Sequence, residues 1–235
     1  MTRTALDAAA LLSVWEHGGA MPAPARAVSL LAAAWPGTAW GEESVGRRDE
    51  QLLTLREQLF GETLDAAAVC PDCGERMDLR FATHDVVGTT EPDLEALTVR
   101  VDSYEVRSRL PTTDDLLAVA GEDALLERCV ESARRRGKPV AAGSLPDAVR
   151  AAVAEGMAKA DPHADVQVAI ACPGCGRECS LAFDITSYLW SEIDDWAQRL
   201  LADVHTLASA YGWREGDVLA MSARRRRAYL ELQSA

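Results

Sequence analysis

The chain has 235 residues, of which 48% are hydrophobic, and its formal net charge is −13 at pH 7. This length is sufficient for one sizeable core or two small ones. No apolar run approaches the ~20 residues that a membrane-spanning helix requires, so we expect a soluble, cytoplasmic protein without a membrane partner. The negative charge repels polyanions and argues against nucleic acid as a partner.

The first third of the chain has apolar residues at helical spacing. This spacing predicts three helices: Leu6–Trp15, Ala25–Trp35 and Leu52–Phe60. Gly18-Gly19 and Pro36-Gly37 separate the three helices, and Gly61 is suited to end the last one. We therefore assign residues 1–63 to an N-terminal helical segment.

The pattern C-P-x-C-G occurs twice, at Cys70–Gly74 and at Cys172–Gly176. Extended segments lead into and out of each copy, namely Asp65–Val69, Met77–Phe81, Val166–Ala171 and Ser180–Phe183. Four thiolates are the number that a closed tetrahedral zinc site needs, and the trailing glycines can adopt the positive φ that turns backbone amides toward the sulfurs. The sequence predicts a structural zinc ion that joins positions 99 residues apart, held by Cys70, Cys73, Cys172 and Cys175.

Other uses of the cysteines fit the sequence less well. A thioredoxin-like redox pair opens a helix after a strand, and disulfides require an oxidising compartment, whereas Met1–Asp7 lacks the features of a signal peptide. We expect Cys129 to be a buried thiol on a helix over Leu125–Ala133. Cys179 fits two roles, either as a replacement zinc ligand or as a core thiol of the outgoing strand.

A mixed insert of about ninety residues separates the two knuckles. After a link rich in Thr, Pro and Asp at Thr89–Asp93, alternation over Leu97–Leu110 predicts a hairpin bent at Asp102-Ser103. Thr112 is suited to cap the next helix. The helices predicted here are Asp114–Ala120, Glu122–Arg136 and Pro146–Lys159, with a solvated loop at Arg134–Pro139. We assign residues 64–186 to a zinc-knuckle core that contains this insert at about 90–165.

We assign the last part of the chain, residues 187–235, to a C-terminal helical interaction module. A continuous apolar stripe with steps of three or four residues predicts a long amphipathic helix: Leu189, Ile193, Trp196, Leu200, Val204, Leu207 and Tyr211. The stripe packs either on the protein's own core, which is the simpler interpretation, or on a partner helix. A short helix over Glu215–Met221 and a last helix begun by Ser222 follow. The predicted partner-binding residues are Trp196, Tyr211, Trp213, Arg224, Arg225, Arg226, Arg227 and Tyr229.

Three stretches, Gly46–Gly61, Arg109–Leu116 and Tyr211–Ser222, resemble a family of bacterial proteins found with contractile injection systems and related to the baseplate hub assembly proteins of T-even phages. The resemblance covers nearly the whole chain, including both knuckles. It implies an assembly chaperone or minor structural part of the baseplate or hub. It also implies that baseplate or other tail proteins are the partners, and it carries over no catalytic residues and no small-molecule substrate.

The residues themselves point to binding rather than catalysis. The four histidines are scattered, and the chain has no P-loop, G-x-S-x-G or H-E-x-x-H motif. A metal with four sulfur ligands also has no position left for water. The paired knuckles and Arg224–Arg227 motivate an alternative, a zinc-dependent nucleic-acid-binding regulator; an enzyme acting through Cys175 and Cys179 is the weakest hypothesis. The predicted fold class is α+β and mostly helical, with two zinc-knuckle β-hairpins flanked by N-terminal helices and a long C-terminal helix.

Overall fold

A computed structural model describes residues 6–86 and 94–233 of the chain. The predicted fold class is confirmed, since helices predominate and small antiparallel hairpins carry the four clustered cysteines. By their contacts the residues form two units, one from Met1–Thr38 with Thr186–Ala235 and the other from Ala39–Ile185. The two units are defined by contacts between residues. The predicted division of the chain into segments 1–63, 64–186 and 187–235 stays a prediction. The predicted link Thr89–Asp93 lies outside the described residues.

In chain order, the α-helices of the described residues are α1 (Ala8–Gly18), α2 (Ala23–Ala34), α3 (Val45–Phe60), α4 (Thr83–Val86), α5 (Thr113–Ala118), α6 (Glu122–Cys129), α7 (Asp147–Ala160), α8 (Ile185–Tyr211), α9 (Glu215–Leu219) and α10 (Ala223–Gln233). Short 3-10 helices occur at Leu94–Leu97, Ala142–Ser144 and Pro162–Ala164. Their ends follow local chemistry. The Ser44 side chain caps α3, which ends at Gly61 with a φ of +92°. No helix within residues 6–86 and 94–233 is both long enough and apolar enough to cross a membrane.

The strands are β1 (Thr63–Val69), β2 (Arg76–Ala82), β3 (Thr98–Val101), β4 (Tyr104–Ser108), β5 (Val130–Arg135), β6 (Lys138–Pro139), β7 (Gln167–Ala171) and β8 (Glu178–Ala182). They form three antiparallel sheets in the described chain: β1-β2, β3-β4-β5-β6 and β7-β8. The first and last sheets are the two cysteine hairpins. The four-stranded sheet belongs to the insert between them.

The insert has its own apolar core, built from the sheet and α7. Its buried residues are Val106, Ala133, Leu145, Val149 and Val153. The predicted hairpin is confirmed, because β3 and β4 turn at Asp102, whose φ is +52°. Thr112 caps α5 as predicted, and its backbone amide donates to the Asp115 carboxylate in return, which completes a capping box.

Two predictions in the insert are wrong. The helix over Glu122–Arg136 ends at Cys129, and the following residues form β5 because Ala133 faces Val106 across the sheet core. The solvated loop Arg134–Pro139 is a β-hairpin, although its residues are exposed as expected. Arg136 and Gly137 both have positive φ, the conformation of a two-residue hairpin turn that matches strand twist.

The predicted long helix is α8, and most of its stripe is buried in the unit that contains it. Leu189, Ile193, Leu200, Val204 and Leu207 are buried. Val204 and Leu207 pack with Val218 of α9 in one apolar cluster. The simpler interpretation, packing on the protein's own core, therefore accounts for this part of the stripe.

Candidate metal centre

The first cysteine knuckle connects β1 to β2 through a backbone turn. The Cys70 amide donates to the Glu75 carbonyl (2.8 Å), and the Gly74 amide donates to the Cys70 carbonyl (3.0 Å). Gly74 has a φ of +77°, which a residue with a Cβ rarely adopts. Local sequence thus folds the C-P-x-C-G segment around its two sulfurs.

The second knuckle repeats this geometry between β7 and β8. The Cys172 amide donates to the Arg177 carbonyl (2.8 Å), and the Gly176 amide donates to the Cys172 carbonyl (2.8 Å). Gly176 has a φ of +71°. Both knuckles therefore use the same two hydrogen bonds and the same glycine conformation.

The two hairpins are an internal structural repeat with a constant offset of 102 residues. Cys172 follows Cys70 by this offset, and Phe183 follows Phe81 by it. The two phenylalanine rings contact each other edge to face, with centroids 5.5 Å apart. The offset also relates the first residue of α4 to the first residue of α8. Equivalent residues of the repeat thus meet across the pair of hairpins.

Four sulfurs converge between the knuckles. The Sγ atoms of Cys70 and Cys175 lie 3.9 Å apart, and those of Cys73 and Cys172 lie 3.6 Å apart. All four sulfurs lie within 4.8 Å of one another. A tetrahedral centre with metal–sulfur bonds of about 2.3 Å places its sulfurs roughly 3.8 Å apart, whereas a disulfide needs about 2.05 Å. The four cysteines are free thiols, and the sulfur–sulfur distances of 3.6 and 3.9 Å match those of a tetrahedral metal site.

The electrostatics of the cluster favour a bound cation. Backbone amides of Cys73 and Asp72 donate to the Cys70 sulfur and lower the pKa of that thiol to about 7. The Glu75 amide lowers the pKa of Cys73, but the adjacent Cys172 thiol and burial raise it to about 12 overall. The Cys70 thiol therefore loses its proton readily, whereas the Cys73 thiol keeps its proton because of its neighbours. A bound divalent cation would favour ionisation of all four thiols, because it compensates the negative charges of the thiolates.

Cys179 lies outside the set of four. It is buried on β8 in an apolar cluster with Cys70, Met77 and Cys172, and its thiol lies 3.5 Å from the Ile170 carbonyl. Burial raises the pKa of Cys179. Of the two roles left open by the sequence, the structure favours the core thiol. Cys129 is buried at the end of α6, as expected, and burial raises its pKa too.

Contacts between the knuckles differ at one pair of equivalent positions. Arg177 Nη1 donates to Asp72 Oδ1 at 2.9 Å. The repeat places Gly174 opposite Glu75 at the equivalent pair, and a Cβ added at Gly174 would lie 3.2 Å from the Glu75 Cβ and Cγ. The second knuckle thus has glycine where the first has aspartate, which leaves room for Glu75.

Six of the eight predicted partner-binding residues fall into two groups within the unit formed by α1, α2 and α8–α10. Tyr211 stacks on Trp213 (centroids 4.5 Å apart), and Tyr229 lies edge to face against both rings. Trp196, Arg226 and Arg227 line a groove between α8 and α10. The other two, Arg224 and Arg225, are exposed. Arg226 is buried, so the four arginines do not form one continuous cationic surface.

The fold and the site define a small α+β protein in which two similar cysteine hairpins share one cluster of four thiols. Among the described residues this is the one group of side chains placed to hold a metal ion. A model of the family described as T4 bacteriophage base plate protein matches residues 42–190, more than half of the chain. The chain belongs to this family, whose match spans both knuckles and the insert. No curated protein and no solved structure matches the chain.

Proposed function

We propose that the protein is a non-enzymatic assembly chaperone or minor structural component of the baseplate or hub of a contractile phage tail or injection system, stabilised by a structural zinc ion. The observation that carries this proposal is the baseplate family match over residues 42–190. The proposal includes the hub as the location, a chaperone role and action in the cytoplasm during assembly. They are supported by the stretches Gly46–Gly61, Arg109–Leu116 and Tyr211–Ser222.

The four-thiol cluster supports zinc as the cofactor. Soft thiolates in tetrahedral arrangement select zinc or iron, and Cys70, Cys73, Cys172 and Cys175 are the residues that would hold the ion. Zinc supplies no redox chemistry and, with four sulfur ligands, only a structural cross-link. The ion would join residues on either side of the insert, and because the complete site exists only in the folded chain, its binding free energy would add to the stability of the fold.

Tail proteins are the proposed partners, and the C-terminal helices are the proposed contact. Tyr211 is 40% exposed and Leu232 is 69% exposed. Aromatic residues and arginines of this kind are enriched at protein interfaces. Most of the apolar stripe of α8 is buried, so among the described residues of these helices few other large apolar side chains are left to contact a partner.

Deleting the gene in a bacterium that produces the particle tests the proposal. We expect tubes and sheaths to lack complete baseplates in electron micrographs, and plasmid-borne wild-type protein to restore them. Cys172→Ser should fail to restore them and should lack zinc, whereas Cys129→Ser serves as a matched control outside the cluster. Complete particles in the deletion strain would contradict the assembly role. Normal particles with a metal-free Cys172→Ser protein would contradict the zinc role alone.

A further inference from the structure

The groove between α8 and α10 contains a buried arginine with an unused donor. Arg226 is 6% exposed, and its Nη1 donates to the Met221 carbonyl at 2.7 Å. Its Nε is buried without a hydrogen-bond partner among the described residues. Within that part of the chain Arg226 also forms no ion pair, since the nearby Glu231 pairs with Arg227 at 3.6 Å.

A buried guanidinium that forms no ion pair and leaves a donor unsatisfied is unfavourable, because it loses water without gaining an equivalent partner. A carboxylate at the Nε–H would supply a charge-assisted hydrogen bond and an ion-pair partner. The groove walls beside Arg226 are partly apolar and include Trp196, Leu200 and Leu230. The site thus combines one anion-binding donor with apolar surface.

We propose that this groove binds a partner segment in which an Asp or Glu side chain is flanked by apolar residues. The carboxylate accepts from Arg226 Nε–H, and the apolar side chains contact Trp196, Leu200 and Leu230. The inference rests on the proposed function only for the identity of the partner, a tail protein. Charge complementarity carries the choice of an acidic segment.

A carboxylate fits the groove better than a nucleic-acid phosphate. Asp203 and Glu231 also line the groove and repel a multiply charged strand. Nucleic-acid binding further requires several cations along a backbone track. Arg199 and Arg227 line the groove as well, but Arg227 pairs with Glu231 at 3.6 Å, and the two carboxylates interrupt any such track. The formal charge of −13 opposes a polyanion as well.

Binding of short probes to the full-length, metal-loaded protein tests the inference. The probes are the blocked tripeptides Leu-Glu-Leu and Leu-Gln-Leu, and the readout is the ¹⁵N–¹H resonance of the Arg226 Nε–H. We expect Leu-Glu-Leu to shift this resonance saturably and Leu-Gln-Leu to bind at least about tenfold more weakly, because only the glutamate supplies a charged acceptor.

Three variants test whether binding depends on the Arg226 Nε–H or only on the positive charge of the helix. Followed by backbone amide resonances, Arg226→Lys should weaken Leu-Glu-Leu binding about tenfold, because it keeps the charge but removes the Nε–H. The exposed Arg224→Lys on the same helix should leave binding unchanged. Asp203→Asn should tighten binding of Leu-Glu-Leu and leave Leu-Gln-Leu unaffected, since it removes a neighbouring negative charge.

Any of three probe results would overturn the inference: no saturable shift up to ~10 mM probe, equal binding of the two tripeptides, or tighter binding of a duplex DNA probe at Arg226. A co-purification result, given below, would overturn it as well. Failure of the proposed function is a different outcome. If Leu-Glu-Leu binds but no tail protein co-purifies with the wild-type chain, the acidic-segment groove stands and the assembly role fails. If tail proteins co-purify equally with wild type and Arg226→Lys, the groove inference fails and the assembly role stands.

Discussion

Met77 and Cys179 occupy equivalent positions in the two hairpins, each four residues after the second cysteine of its knuckle and each buried against the sulfur cluster. Their strand partners, Ala68 and Ile170, are equivalent as well. A methionine at this position in one hairpin shows that the position takes an apolar side chain. Cys179 therefore occupies the core position of the second hairpin, as Met77 does in the first.

This equivalence predicts different outcomes for two neighbouring serine variants. Cys179→Ser should keep about one zinc ion per chain, because its hydroxyl can still donate to Ile170, whereas Cys175→Ser should lose the ion and the cooperative unfolding of the hairpins. Elemental analysis of untagged protein, with thermal unfolding, measures both. If Cys179→Ser loses the metal and Cys175→Ser retains it, then Cys179 is the metal ligand and Cys175 is not. If elemental analysis finds iron in place of zinc, then iron is the cofactor.

The ring contact between Phe81 and Phe183 predicts energetic coupling between the two hairpins. Edge-to-face aromatic pairs contribute about 0.5–1.5 kcal/mol beyond their burial. We expect Phe81→Ala and Phe183→Ala to be non-additive by this amount in a double-mutant cycle of unfolding free energies, measured with zinc bound. Additivity within about 0.3 kcal/mol would mean that the rings do not couple the hairpins.

Much of the site was predictable from the sequence, and the reason is local. The C-P-x-C-G pattern determines its own turn, so the four cysteines, both knuckles and the flanking strands followed from spacing alone. The repeat was missed because few residues outside the knuckles are identical at the offset of 102, among them Leu79 with Leu181 and Phe81 with Phe183. Comparing the two knuckles beyond Gly74 and Gly176 would have revealed it.

Long-range packing decided what the sequence did not predict. Leu125, Cys129 and Ala133 have helical spacing, yet β5 begins at Val130 because β4 offers a strand partner and a core position opposite Val106. The burial of Arg226 among four consecutive arginines was also hidden, because one turn of helix gives no sign of which side chain faces α8. Such outcomes depend on tertiary contacts and not on local propensity.

Asp115 predicts an acid-dependent contribution to stability. The hydrogen bonds from Arg109, with those from Thr112 and Arg128, hold the pKa of this buried carboxyl well below its usual range. Because the folded-state pKa is lowered, the contribution is present above the unfolded value of about 3.9 and is lost as the pH falls toward the folded value.

Asp115→Asn should therefore lower the unfolding free energy by about 1–3 kcal/mol at neutral pH. The difference from wild type should shrink as the pH falls below about 4. Chemical denaturation of both proteins across this range measures it, and metal loss in acid affects both proteins alike. A difference that is independent of pH would show that Asp115 acts through shape rather than charge.

Two adjacent glycines give a matched test of packing around Trp190. A Cβ at Gly18 would overlap the Trp190 ring, whose other contacts include Arg26 at 4.7 Å, whereas a Cβ at Gly19 would meet nothing closer than 3.8 Å. We expect Gly18→Ala to destabilise the protein by about 1–3 kcal/mol through overpacking. Gly19→Ala should change stability by less than about 0.5 kcal/mol. Equal effects in thermal unfolding would contradict the close approach of Trp190.

The exposed arginines of α10 distinguish a tail-assembly protein from a nucleic-acid-binding regulator. A variant with Arg224, Arg225 and Arg227 changed to Ala keeps the buried Arg226 and its bond to the Met221 carbonyl, so α10 should stay folded. We expect this variant to retain zinc and to co-purify less well with tail proteins, because arginines pair with acidic surface on a partner.

Wild-type protein should bind random duplex or single-stranded DNA only weakly at physiological ionic strength, given its formal charge of −13. Fluorescence anisotropy with labelled DNA over a salt series measures this, with the triple variant as the control. Phosphate contacts make affinity fall steeply with salt. Tight, salt-sensitive binding that disappears in the triple variant would therefore favour the regulator over the assembly role, because it would show that the three exposed arginines contact phosphates.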